Sequence, residues 1–266
     1  MKIQLGAVQE TLLIPLYGRA VETHKKRPLM RDPKAVEMVA SIDYDFTKYD
    51  GGRSLGGSVL RGLIFDSWVT DFLRANPYGT VVEIGAGLNT RFERLDNGTC
   101  HWFELDLPDS MELRQRFFRP SDRRGMLAGS ITDPAWIEAV RARPAPYFFV
   151  AEAVLFYLPR DDAQYAVALV HDHFPGSRLA FDTAGDAMVD SQAQHDALKH
   201  TRAEFAWACD DAIELEPWGL RLVDSRPLAR PQPSVAARLP PAYRLLLRLL
   251  AFHPRAASYR MNLFSV

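Results

Sequence analysis

The stretch that decides the fold is Val81-Val82-Glu83-Ile84-Gly85-Ala86-Gly87-Leu88-Asn89-Thr90-Arg91. An apolar, strand-like run enters a Gly-x-Gly turn and leaves into a helix-compatible stretch. Gly permits the tight turn and lets a ligand approach the backbone closely. The amides at the start of the following helix can hold a polar or anionic group. The third glycine of the dinucleotide fingerprint would fall at position 90, where Thr90 stands, and this weakens a nicotinamide reading. Taken alone, the same turn can simply join strand to helix with no ligand.

Two further motifs lie downstream. Phe103-Glu104-Leu105-Asp106-Leu107-Pro108 ends the next strand-like run, about 20 residues past the Gly turn, where an acid can accept hydrogen bonds from two ribose hydroxyls. Glu104 and Asp106 alternate along that run, so they are expected on one side. Glu152 sits in the apolar run Val150 to Leu158, at the expected end of a fourth strand. A buried carboxylate is costly unless partnered. A cofactor, backbone amides or a local arginine would each satisfy it.

The wider texture supports a parallel sheet. Short apolar runs at 81–84, 101–105, 126–128, 147–151 and 178–181 alternate with helical stretches near 90–96, 108–119, 134–141 and 161–173. Strands are also expected at 221–224 and 259–266, a Pro-rich loop at 227–241 and a helix near 241–252. Residues 1–76 read as a helical N-terminal cap, in which Leu60, Leu63, Ile64, Trp68 and Phe72 make one apolar helix face. Residues 77–266 read as a ligand-binding core. A polar, mostly helix-compatible insert near 183–218 follows the fifth strand.

Composition bounds the function. The 266 residues carry 32 Lys+Arg against 33 Asp+Glu, which gives no basic excess for a nucleic-acid partner. Cys100 and Cys209 are the two cysteines, too few for a disulfide framework, and a cytoplasmic location is expected. Neither a signal peptide nor a run of about 18 apolar residues is evident, so no membrane partner is expected. No His/Cys/Asp/Glu cluster has zinc-like spacing, so no metal is expected.

In order along the chain, "VQETLLIPLYGRAVET", "SVLRGLIFD", "VVEIGAGLNTRFERLDNG", "HWFELDLPDSMELR", "FFVAEAVLFYLP" and "AFDT" resemble the leucine carboxyl methyltransferase-like superfamily of S-adenosylmethionine-dependent methyltransferases. Within it the chain looks most like the TcmP-type polyketide O-methyltransferases. The resemblance covers roughly residues 8–185, and "FAWACDD" with "LEPWGL" extends it. It implies a Rossmann-like α/β class I methyltransferase fold with a seven-stranded, mostly parallel sheet and an antiparallel last strand. It implies S-adenosyl-L-methionine as cofactor. By the same resemblance, Gly85 and Gly87 lie against the methionine part, Asp106 holds the ribose, and Arg61 pairs with the methionine carboxylate. Glu152 stands near the amino group, and Arg19 is a further basic residue near that carboxylate. Glu83 and Leu107 flank these motifs and join the cofactor set. Many relatives carry an Asp-Leu pair against adenine. Here the matching pair is Ser130-Ile131, with Asp133 as a substitute. Many also have Asp where this chain has Asn89.

The implied acceptor is a carboxylate or hydroxyl oxygen of a small, polyketide-like metabolite. A carboxylic acid with a pKa near ~4 needs no base, whereas a phenol near ~10 usually does. Tyr17, Tyr157 and His195 are the leading catalytic candidates, with His24 and His200 behind them. A monomer or homodimer is expected. The alternatives are transfer to sulfur or nitrogen, a non-catalytic member that binds cofactor or a partner, and a nicotinamide-dependent dehydrogenase.

Overall fold

The computed structural model describes residues 3, 5, 6 and 8–266. Its seven strands are β1 (Thr80–Ile84), β2 (His101–Asp106), β3 (Arg124–Ala128), β4 (Tyr147–Ala151), β5 (Arg178–Ala184), β6 (Arg221–Pro227) and β7 (Tyr259–Ser265). They form one sheet in the order β3-β2-β1-β4-β5-β7-β6. The first five are mutually parallel, and β7 lies antiparallel between β5 and β6. All seven expected strands are present, and β6 runs three residues further, into the stretch expected to be loop.

The helices are α1 (Leu13–Thr23), α2 (Pro33–Ser41), α3 (Arg53–Ala75), α4 (Arg91–Leu95), α5 (Pro108–Phe117), α6 (Ile137–Arg141), α7 (Arg160–His173), α8 (Asp186–Val189), α9 (Pro233–Ala236), α10 (Pro241–Leu250) and α11 (Pro254–Ser258). In α3 the expected face of Leu60, Leu63, Ile64, Trp68 and Phe72 is buried in the same core as β1, β4 and β7. Burial of each such side chain contributes roughly 1.5–3 kcal/mol. The helix ends at Asn76-Pro77, where the proline disfavours further helix at the residue before it. Helices α1 and α2 share a second cluster with Leu88, Leu113 and Phe118.

Strand register positions the site. Ile84 pairs with Leu105 on one side and Ala151 on the other. Ala151 in turn pairs with Phe181. The next residues along each strand, Gly85, Asp106, Glu152 and Asp182, therefore reach one level at the carboxyl ends. Strand order reverses at β1, between β2 and β4. That reversal opens the crevice in which ligands of open α/β sheets bind.

The insert departs from expectation. Residues 185–218 contain the one-turn α8 and short 3₁₀ turns at Gln192–Gln194, Leu198–His200 and Ala212–Trp218, joined by extended backbone. Ala206 N donates to Phe156 O, Trp207 Nε1 to Leu155 O, and Cys209 N to Ala184 O. Helix-compatible composition lost here to bonds with partners far along the chain, which satisfy the backbone without a helical ladder.

Candidate active site

A cavity of about 1080 Å³ opens at the carboxyl ends of β1, β2 and β4. Its floor is the Gly85-Ala86-Gly87 turn. Gly85 has φ +64° and Gly87 φ +46°, and a Cβ on Gly85 would lie 2.3 Å from Val154 Cγ2. Glycine is required there on both counts. The turn is held from behind by Arg114, whose Nη1 donates to the carbonyls of Gly87 and Asn89 at 2.8 Å each. The rest of Arg114 pairs with Glu104.

Glu104 and Asp106 thus serve different ends. Glu104 is fully buried between Arg114 and Arg124, away from the cavity. Asp106 lines the cavity and accepts from Gly87 N at 2.6 Å and from Leu107 N at 2.7 Å. Burial raises its pKa while these two amides pull the other way. Two amides leave lone pairs on this carboxylate for further donors.

On the opposite wall, Arg61 Nε donates to Glu152 Oε1 at 2.8 Å and Arg61 Nη1 to the Tyr259 hydroxyl at 3.0 Å. Among the described residues, Arg61 Nη2 makes no hydrogen bond. The Tyr259 hydroxyl itself donates to Asp182 Oδ2. Asp182 Oδ1 accepts from Ala153 N at 2.8 Å and pins the residue after Glu152 in a left-handed conformation, φ +58°. A non-glycine residue at such a φ is uncommon and marks a constrained site. Arg91 Nη2 holds the other Glu152 oxygen at 2.5 Å and also pairs with Glu83 and Asp66. Burial would raise the Glu152 pKa, but Arg61 and Arg91 overcome it and hold the carboxyl down to about 2. Burial pushes Asp182 up to about 6 against the pull of Arg61.

The cavity wall brings together Arg19, Arg61, Gly85, Gly87, Asp106, Leu107, Ser130, Ile131, Glu152, Tyr157 and His195 from the expected set. Arg19 contributes a committed guanidinium, bound to Asp32 and the Leu88 carbonyl. The Ser130 hydroxyl bonds Thr132 at 2.7 Å. Two expected residues stand outside the wall. Glu83 is buried behind it on Arg91, because residue alternation in β1 turns it to the face that carries α4. Tyr17 donates to Asp50 at 2.5 Å, and that bond and burial push its phenol up to about 12. Asp133 caps a 3₁₀ turn and His24 is exposed, both away from the cavity.

His195 comes from the insert. Its Nδ1 accepts from the amides of Ala197 at 3.3 Å and Leu198 at 3.2 Å. Burial lowers its pKa against the attraction of Asp196. A neutral ring with Nδ1 accepting carries its proton on Nε2 and is a donor there. Burial also raises the Tyr157 phenol, so that group too is neutral.

Three groups were not foreseen as parts of the site: Tyr259 and Asp182 behind Arg61, Arg91 behind Glu152, and Arg114 behind the glycine turn. Asp182 lay in the "AFDT" stretch, Arg91 in "VVEIGAGLNTRFERLDNG" and Arg114 in "HWFELDLPDSMELR", whereas Tyr259 lay in none of the motifs.

Sheet order, the glycine turn and the strand-end acids define a class I S-adenosylmethionine-dependent methyltransferase. The leucine carboxyl methyltransferase family model matches residues 13–171, and the chain belongs to that family. It is 32% identical over 217 residues to the tetracenomycin polyketide synthesis O-methyltransferase TcmP of Streptomyces glaucescens, with 80% of each chain covered. It is 26% identical over 238 residues to the S-adenosyl-L-methionine-dependent methyltransferase dpfgK of Gibberella zeae, covering 81% of this chain and 80% of that one. A DUF574 family protein from Streptomyces avermitilis superposes with a TM-score of 0.60 at 14% identity, over 95% of this chain and 96% of that one. The methyltransferase domain of bacterial CtHen1-CN gives a TM-score of 0.51 at 12% identity, over 77% of this chain and all of that one. These two likenesses concern the fold. Among the described residues, no helix is long and apolar enough to cross a membrane.

Proposed function

We propose that the protein transfers a methyl group from S-adenosylmethionine to an oxygen, carboxylate or hydroxyl, of a small polyketide-like molecule. The observation that carries the cofactor half is the convergence of Gly85, Asp106, Arg61 and Glu152 on one cavity from four separate elements. The similarity to TcmP over 80% of the chain supports oxygen as the acceptor atom.

The residues fit the cofactor. The glycine turn leaves backbone open where a side chain would clash, and Asp106 offers acceptors for ribose hydroxyls. Arg61 Nη2 is a donor for the methionine carboxylate, and Glu152 an acceptor for the amino group. Ser130 and Ile131 flank the adenine position, with the Ser130 hydroxyl in place of the relatives' carboxylate. Leu107 lines the wall beside the ribose. Arg19 and Glu83 act indirectly, by holding Leu88 and Arg91.

The bound cofactor supplies an already activated sulfonium methyl. The chain's task is then to orient the acceptor in line with it, which can be worth roughly 7–11 kcal/mol. Tyr157 and Phe205 stack, Phe156 meets both edge to face, and the three form one aromatic wall of the remaining cavity. A flat apolar acceptor suits that wall. Neutral His195 and Tyr157 can donate hydrogen bonds to an acceptor oxygen. A carboxylate, ionised before it binds, matches such donors without a base.

The test is labelled S-adenosylmethionine with a panel of aromatic carboxylic acids, phenols, thiols and amines, preceded by titration with S-adenosylhomocysteine and with NAD as control. Oxygen methylation is expected. Transfer confined to thiols or amines overturns the acceptor assignment. Binding of NAD but not S-adenosylhomocysteine overturns the cofactor.

A further inference from the structure

The 42 residues from Ser225 to Val266 hold seven arginines and no Lys, Asp or Glu, in a chain of formal net charge -1. Inside this basic segment, α10 turns Tyr243, Leu247 and Leu250 onto the core. Leu245 and Leu249, four apart, share the opposite face, and Phe252 in the turn just beyond continues their line. Leu246 stands beside them. These four are 59%, 66%, 82% and 46% exposed for Leu245, Leu249, Phe252 and Leu246. Arg244 and Arg248 flank the stripe on one side. Among the described residues neither makes an ion pair or a side-chain hydrogen bond.

We propose that this face of α10 docks the protein on an anionic lipid surface. Four neighbouring large apolar side chains are far more than the scattered singles of an ordinary surface. Leu and Phe on one face of a short helix, flanked by arginine, is the pattern of a helix lying in the plane of a lipid interface. The unpaired arginines select the charge of the occupant: they attract anionic headgroups within about a Debye length. A second copy of the chain docking through the same face would set Arg244 and Arg248 of both copies against each other. The earlier expectation of no membrane partner rested on the lack of a spanning segment, which an interfacial helix does not need. Leu250, His253 and Arg255, from the same segment, line the large cavity, so the docked face lies at its rim.

The test is flotation of the full chain with vesicles of pure phosphatidylcholine and with equimolar phosphatidylcholine and phosphatidylglycerol, at low and high salt. At least about tenfold more protein is expected on the anionic vesicles, with the excess lost at high salt. The Leu249→Glu, Phe252→Glu double variant should lower that binding about tenfold, and Arg244→Gln with Arg248→Gln should abolish the preference for anionic vesicles. Both variants should keep the wild-type circular dichroism, Tm and affinity for S-adenosylhomocysteine. No wild-type binding, or equal binding to both vesicle types, overturns the proposal without recourse to any variant. A wild-type dimer in sedimentation that the Leu249→Glu, Phe252→Glu variant splits would give the face to a second copy instead.

Discussion

Arg61 Nε meets Glu152 Oε1 at 2.8 Å across 91 positions of sequence, and the side chains stay 14% and 10% exposed on the cavity wall. The pair is neutral as it stands. An amino acid zwitterion offers one carboxylate and one ammonium. In the proposed site it brings a carboxylate to Arg61 Nη2 and an ammonium to Glu152 together, so neither the added charges nor Arg61 and Glu152 are left uncompensated.

Replacing Arg61 with Ala should therefore weaken S-adenosylmethionine more than adenosine. The ratio of the two affinities is expected to fall by about tenfold or more, equivalent to about 1.4 kcal/mol. Calorimetric titration of both ligands decides it. Equal losses would mean that Arg61 does not meet the carboxylate.

Asp106→Ala should weaken S-adenosylhomocysteine by more than about tenfold, since hydrogen bonds to a charged acceptor contribute roughly 1.5–3 kcal/mol. The variant's circular dichroism serves as the control for folding. Unchanged affinity in a folded variant removes Asp106 from the cofactor site.

Gly85→Ala places a Cβ at φ +64° and 2.3 Å from Val154 Cγ2. The left-handed backbone costs about 1–2 kcal/mol and the overpacking about 1–3 kcal/mol. Adding Val154→Ala should recover the packing part and leave the backbone part. Denaturant unfolding of the single and double variants measures both. A single variant as stable as wild type would contradict the turn geometry.

Asp182 governs one limb of the stability profile. Its carboxyl is held at about 6 in the fold and near ~3.9 unfolded, so folding favours the protonated form. Its contribution is complete below about pH 4 and is lost as pH rises through about 6. Glu152, held down to about 2, runs oppositely: its contribution is present above about pH 4.3 and lost as pH falls toward 2. Unfolding free energies of wild type and Asp182→Asn should therefore converge or cross between pH 4 and 7, the wild type losing up to about 2–3 kcal/mol relative to the variant. A pH-independent difference would show that Asp182 is not raised.

His195, neutral and bound through Nδ1, should act as a hydrogen-bond donor. With an ionised acceptor, His195→Gln should lower kcat/KM by about 10- to 100-fold and leave its pH profile unchanged in shape on the acid side, where an imidazole of lowered pKa titrates. A wild-type rate that falls on the acid side as the imidazole protonates, with that limb lost on substitution, would show that His195 is the base.

Much of the fold was legible because its signals are local. The alternation of short apolar runs with helical stretches marked the first five strands, the strand-like runs at 221–224 and 259–266 marked the last two, and the three- and four-residue spacing from Leu60 to Phe72 marked the buried face of α3. The insert at 183–218 was not legible. Its residues permit helix, but bonds such as Phe205 N to Gln192 Oε1 and Trp207 Nε1 to Leu155 O fix extended backbone, and they depend on distant partners. Glu83 and Glu104 show the same limit at the site. Both looked available for a ligand, and both are consumed by buried arginines, Arg91 and Arg114, that only the packed structure brings to them.

The sequence by itself determined the strand-turn-helix at Gly85, the strand-end position of Asp106 and Glu152, and the membership of the chain in its family. Each is a property of neighbouring residues or of motif order, fixed by backbone sterics and hydrophobic period. Only the tertiary structure decided which charges stay free. Arg61 reaches Glu152 and Tyr259 because α3, β4 and β7 converge on one end of the sheet. Burial there makes an unpaired charge too costly, so each charged group takes whichever partner the packing supplies. His195 likewise enters the cavity only because the insert folds back over β4, and the burial that results sets its protonation.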